Sequence, residues 1–142
     1  MHSPHARPSL RAPILWGFVF GVIQAASPLG LVWLDQATVQ ALLLCFIAAV
    51  YVGFAVADGR PRVIAIESVI AAAFVLLASA SVTGTAWLLA IGYAAHGLKD
   101  VWQERHQFVV NTRWWPPFCA CIDFVVALVL IIEIAAGTDF HH

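Results

Sequence analysis

Charge is what this chain has least of. Only 11% of its 142 residues are charged, where an ordinary soluble domain carries about a quarter. Hydrophobic residues make up 62%, and the mean hydropathy is +0.88. A water-soluble fold of this length leaves much of its surface exposed and lacks the polar groups here to cover it. Lipid is therefore the expected solvent. A net charge of −1 excludes nucleic acid as a partner, because no basic face is large enough to neutralise a run of phosphates. The three cysteines, Cys45, Cys119 and Cys121, are odd in number and lie in apolar segments, which excludes a disulfide framework. Strand-like alternation of apolar and polar residues is missing, so a membrane barrel is excluded. Helices satisfy their own backbone hydrogen bonds in lipid and remain the expected element. No internal repeat and no long linker divides the chain, and residues 1–142 read as one all-α membrane domain.

About 20 apolar residues cross a bilayer core at 1.5 Å each. Five stretches come close: Ile14 to Leu34, Val39 to Ala57, Val63 to Ser81, Thr85 to Trp102, and Pro117 to Ala136. The first carries Gln24 and a Ser27-Pro28 pair, which predicts a kink. Asp58-Gly59-Arg60-Pro61-Arg62 is a turn by composition. Pro117 suits a first helical turn and Gly137 a helix stop. The fourth stretch is the weakest, since His96, Lys99 and Asp100 occupy its last third. A four-span arrangement, with that segment re-entrant, is the rival. A cleaved leader ending near Ala25-Ala26-Ser27 is a second rival, but apolar residues resume after Pro28 and suit a kinked span better.

The basic residues orient the bundle. Arg7, Arg11, Arg60, Arg62, Lys99, Arg105 and Arg113 all fall on one side of a five-span arrangement, and the other loops and the C-terminal tail contain none. The positive-inside rule then predicts a cytoplasmic N-terminus and an external C-terminus, in a cell membrane of the bacterial inner-membrane type. Gly17 and Gly21, with Ala25, form a small-residue stripe, and Ala90, Ala94 and Gly97 form another; both fit close helix packing.

Ionisable groups at membrane depth are costly and usually face protein or water. From the cytoplasmic side, Glu67 is roughly 6 Å deep and Asp123 roughly 9 Å deep at the helical rise. His96 and Asp100 fall in the same layer. His96 and Asp100 stand at i and i+4, as do Cys119 and Asp123, so two helices each present a pair on one face. Histidine, carboxylate and thiolate together suit zinc, which makes His96, Asp100, Cys119 and Asp123 a candidate metal set. As an acid–base site, the same layer offers His96, Asp100, Asp123 and Glu67. The alternative is structural: Asp100 pairing with Lys99 or Arg105, Glu67 with Arg60 or Arg62, and Asp123 favoured by its helix dipole. Glu133 lies near the outer surface and is expected at headgroups. Gln24 and Tyr51 fit either an interior path or interhelical hydrogen bonds. Cys119 and Cys121 point to different faces, and Trp114-Trp115 reads as an interfacial anchor with both indoles at headgroup level. The terminal pairs His2/His5 and His141/His142 read as tails.

His96-Gly-Leu-Lys-Asp100, followed by Trp114-Trp-Pro-Pro-Phe-Cys119-Ala-Cys-Ile-Asp123, resembles a group of small bacterial integral membrane proteins of unassigned function. The likeness covers about the last third of the chain. In that group a histidine commonly stands near the position of Gln103, which here removes one ligand. The resemblance implies no activity.

Three functions fit. The first is a small membrane enzyme acting on a lipid or other hydrophobic substrate, with His96 as base or ligand, Asp100 orienting it, and Asp123 binding metal or donating a proton. The second is a proton-coupled carrier or permease subunit, which needs a homo-oligomer because five short helices enclose little volume. The third is an accessory membrane subunit without chemistry. An enzyme predicts convergence of the polar groups on one closed pocket. A carrier predicts continuation through Tyr51, Gln24 and Glu133, and an accessory subunit predicts charges turned outward.

Overall fold

A computed structural model describes residues 9–141; Arg7, His2, His5 and His142 lie outside the described residues. The fold is all-α, with five α-helices: α1 (Arg11–Ala25), α2 (Gln36–Asp58), α3 (Pro61–Thr83), α4 (Trp87–His106) and α5 (Trp115–Ala135), and a 3₁₀ turn, Ser27–Gly30, between α1 and α2. No strand occurs among the described residues. Among the described residues three helices, α2, α3 and α5, are long and apolar enough to cross a membrane, rather than five.

The first and fourth stretches fall short for different reasons. Ser27-Pro28 does not kink a continuing helix but ends it. The Ser27 hydroxyl donates to the Gln24 carbonyl at 2.6 Å, and the chain tightens into the 3₁₀ turn, where Pro28 has no amide to donate. At 15 residues, α1 is about 22 Å long at the helical rise, less than a hydrocarbon core. With 20 residues α4 is long enough, but Lys99, Asp100, Glu104 and Arg105 interrupt its apolar character.

Local signals set the ends. The Asp35 side chain caps α2 by accepting from the Thr38 amide at 2.8 Å, satisfying a donor that a helix start leaves free. Gly59 ends α2 in the left-handed region, φ +82°, and Pro61 opens α3 two residues later. The fifth helix begins two residues earlier than its proline signal, at Trp115, with both prolines in its first turn. Gly137, at φ +81°, follows its end.

In space α5 lies between α1 and α4, while α2 and α3 form a hairpin that meets the rest mainly through α4. Glycine sets the closest approach. A Cβ on Gly17 would lie 2.5 Å from the Phe118 carbonyl oxygen, and one on Gly21 would lie 2.9 Å from Val125 Cβ. The small-residue stripe of α1 therefore seats that helix directly on α5.

One end of the bundle gathers the basic residues. Asp58 holds Arg60 through two hydrogen bonds of 2.6 and 2.7 Å. Arg60 also donates to the Phe108 carbonyl at 2.7 Å, and the Val110 amide donates to Asp58 at 2.9 Å. The α2–α3 turn is thus tied to the α4–α5 loop. At the opposite end, the Ala37 amide donates to the Phe140 carbonyl at 3.1 Å. There Gln36 donates to Glu133 at 2.7 Å, so α2 holds the Glu133 carboxylate. Trp115 departs from expectation. Trp114 is exposed, but the Trp115 ring turns inward against Phe54 and Phe118, at centroid distances of 6.0 and 5.5 Å.

A candidate metal centre between the fourth and fifth helices

The α4–α5 loop determines which residues of these two helices meet. It turns through three left-handed residues, Gln107, Asn111 and Arg113. Gln103, the last buried polar residue of α4, clamps it: its amide donates to the Val109 carbonyl at 2.6 Å, and its carbonyl accepts from the Val109 amide at 3.1 Å. This returns α5 antiparallel to α4. Gly97 then allows close contact, since a Cβ there would lie 2.9 Å from the Phe124 ring and 3.2 Å from Asp123 Cβ.

The two i, i+4 pairs face each other across this contact. His96 Nδ1 lies 2.7 Å from Asp123 Oδ2 and 3.5 Å from Asp100 Oδ2. Cys119 Sγ lies 3.9 Å from the same Asp123 oxygen. One ligand atom from each of His96, Asp100, Cys119 and Asp123 lies within 4.8 Å of every other. All four residues are 1% exposed or less. Several of their polar atoms are buried without a hydrogen-bond partner: His96 Nε2, both Asp100 oxygens and Asp123 Oδ1. Buried acceptors are rarely left so.

Glu67 lies outside this group of four. Its Oε2 is 2.9 Å from Lys99 Nζ, an ion pair without hydrogen-bond angles. The Lys99 ammonium also stands 3.4 Å from the centre of the Tyr51 ring. Tyr51 borders the His96 ring at 5.9 Å, and Phe74 meets that ring edge-on at 4.9 Å. Neither structural pairing considered for the acids occurs: Asp100 faces His96 instead of Lys99 or Arg105, and Glu67 takes Lys99 instead of Arg60 or Arg62.

Beyond the cluster, Tyr93 OH donates to the Gln40 carbonyl at 2.9 Å and accepts from Gln24 at 3.0 Å. Gln24 is thereby accounted for by an interhelical hydrogen bond, whereas Tyr51 OH has no partner. Cys119 is buried and Cys121 only half-buried, on different faces as their spacing requires.

Sequence reasoning read part of this differently. Lys99, considered there as a partner for Asp100, pairs with Glu67. Gln103 acts on the loop rather than in the ligand set. Tyr93 gave only the faint signal of a hydroxyl three residues before His96.

The donor set fits a divalent cation. Imidazole, carboxylate and thiolate are zinc ligands, and the partnerless carboxylate oxygens supply free lone pairs. Glu67 and Lys99 pair with each other, so neither aspartate has a lysine or arginine partner among the described residues. No protein-family model matches the chain, and no curated protein or solved structure matches it. The resemblance therefore rests on the His96/Asp100 and Cys119/Asp123 pattern, which the fold does bring together.

Proposed function

We propose that this chain is a multi-pass membrane protein that binds a divalent metal of the zinc class through His96, Asp100, Cys119 and Asp123. Residues 1–142 form one membrane domain of five helices, with the basic end cytoplasmic and the C-terminus external, in a bacterial inner membrane. The membrane reading draws support from the inside-out pattern of α4. Its outward stripe is Trp87, Ile91, Leu98 and Trp102, while His96, Asp100 and Gln103 are buried. Exposed apolar and buried polar residues reverse the order found in water-soluble helices, and α1 likewise turns its apolar side chains outward, burying Gly17 and Gly21.

The single observation that carries the metal reading is the convergence of four buried ligand atoms within 4.8 Å, several of whose residues keep partnerless polar atoms. Ionising a buried carboxylate costs several kcal/mol, and Asp100 and Asp123 share the single His96 ring. A dication offsets that cost. Full burial of all four residues favours a held ion over turnover of a bulky lipid at the same atoms. Metal analysis of protein purified in detergent tests the reading. One zinc per chain is expected, with loss in Asp123→Asn and in Cys119→Ser. Wild-type protein that stays metal-free and gains no thermal stability from added zinc would overturn it.

The proton-carrier reading keeps one observation in its favour. Polar groups continue beyond the cluster through Tyr93, Gln24 and Gln40. A carrier holds protons on Asp100 and Asp123 in place of metal, and copies of the chain must enclose the path.

A further inference from the structure

The contact pattern leaves a gap between α1 and α4. Both helices pack closely on α5 through glycines, Gly17 and Gly21 on one side and Gly97 on the other. They do not pack extensively on each other. A groove of about 1080 Å³ opens between them at the basic end of the bundle, with Leu10 and Ile14 on one wall, Val101 on the other, and Phe124 and Leu128 along its floor. The metal cluster is not part of it.

The polar lining of this groove is confined to the end of α4: Glu104, Arg105 and Gln107. Arg105 is exposed and makes no ion pair among the described residues. Glu104 is half-buried, and its Oε2 is fully covered yet has no hydrogen-bond partner among the described residues. The two are opposite in charge, both line the groove, and they form no ion pair with each other. The groove mouth thus carries a cationic and an anionic side chain, unpaired among the described residues, at the end of an apolar channel.

We infer that this groove binds a phospholipid with a phosphoethanolamine headgroup, a reading that rests on the chain being embedded in a membrane. The guanidinium of Arg105 matches the phosphate, to which arginine donates bidentately. The primary ammonium of ethanolamine donates to the Glu104 carboxylate. The acyl chain lies along Phe124 and Leu128. Choline keeps the positive charge but has no N–H to donate, and phosphoglycerol offers only neutral hydroxyl donors, so neither gives Glu104 a charge-assisted hydrogen bond.

Native mass spectrometry of the full chain released from nanodiscs of equimolar dioleoyl phosphatidylethanolamine, phosphatidylcholine and phosphatidylglycerol tests this. The ethanolamine lipid is expected to be retained about tenfold over the choline lipid, the scale of one hydrogen bond to a charged group. Glu104→Gln should level the ethanolamine and choline lipids, and Arg105→Gln should reduce retention of all three. Equal retention of the lipids by the wild-type chain would overturn the inference, as would unchanged selectivity in both variants. Cys121 also lines the groove, which gives a readout independent of the variants. Its alkylation in the wild-type chain should slow in ethanolamine-lipid nanodiscs relative to choline-lipid ones, and equal rates would count against the inference. A carbonate wash of membranes keeps the two readings apart. A chain released into the soluble fraction overturns the membrane reading and this site with it, whereas a retained chain without headgroup preference overturns this site alone.

Discussion

The third and fourth helices are of similar length, 23 and 20 residues, but they distribute polarity in opposite ways. On α3 the buried positions are few and Glu67 is its one ionisable residue beyond the first turn. Most of that helix presents apolar side chains outward. On α4 eight positions are buried, among them His96, Asp100 and Gln103, and the outward stripe is as apolar as that of α3. A hydropathy average finds the first helix and passes over the second. The lesson is that averaged polarity reports how much of a helix meets lipid all round, whereas a helix carrying a buried site has a low average because of the site.

The strongest way to break this contrast is to remove the residue that couples the two helices. Lys99→Met leaves Glu67 buried without its ion-pair partner, and a destabilisation of about 3–5 kcal/mol is expected, the cost of orphaning a buried charge. Thermal unfolding in detergent measures it. Glu67→Gln combined with Lys99→Met should recover most of the loss, and a single variant as stable as the wild type would show that the pair lies open to water.

A charge placed on each outward face sharpens the comparison further. Leu76 on α3 and Leu98 on α4 are both strongly exposed. Leu76→Lys and Leu98→Lys should each raise the free energy of membrane insertion by about 2.5–3.5 kcal/mol if near the bilayer centre, and less toward its ends. A translocon insertion assay on the two helices reads this. A penalty on α3 with none on α4 would mean that the outer face of α4 meets water.

The smallest effect belongs to the opposite end of the bundle. The Thr38 amide, more than the Thr38 hydroxyl, holds the Asp35 carboxyl below its usual range. Because its folded pKa is lowered, the cap contributes its full stability above the ordinary carboxylate value and loses it as pH falls through the lowered one. Asp35→Ala should cost about 1 kcal/mol at neutral pH. Wild type and variant should converge in stability below the ordinary carboxylate range, and a difference that persists unchanged there would remove the cap from the account.

Much of this fold is readable in the sequence because its signals are local. The apolar runs of α2, α3 and α5 are long and carry few charges, and the i, i+4 pairs His96/Asp100 and Cys119/Asp123 fix which side chains share a face. What escapes depends on neighbours in space. Ser27-Pro28 fits a kink as well as a stop until the turn that follows is known. The inward Trp115 needs Phe54 from another helix, and Glu133 needs Gln36 from α2. Glu67 was assigned to the acid–base layer by depth alone. Its pairing with Lys99 depends on how α3 and α4 rotate against each other, which no spacing within either helix encodes.

The central claim is that one ion sits among His96, Asp100, Cys119 and Asp123. X-ray absorption at the zinc edge of the zinc-loaded protein tests it most directly. The account predicts one sulfur at about 2.3 Å with nitrogen and oxygen ligands at about 2.0–2.1 Å, and loss of the sulfur shell in Cys119→Ser. A zinc shell of light atoms alone in the wild-type protein, unchanged by that substitution, would contradict it.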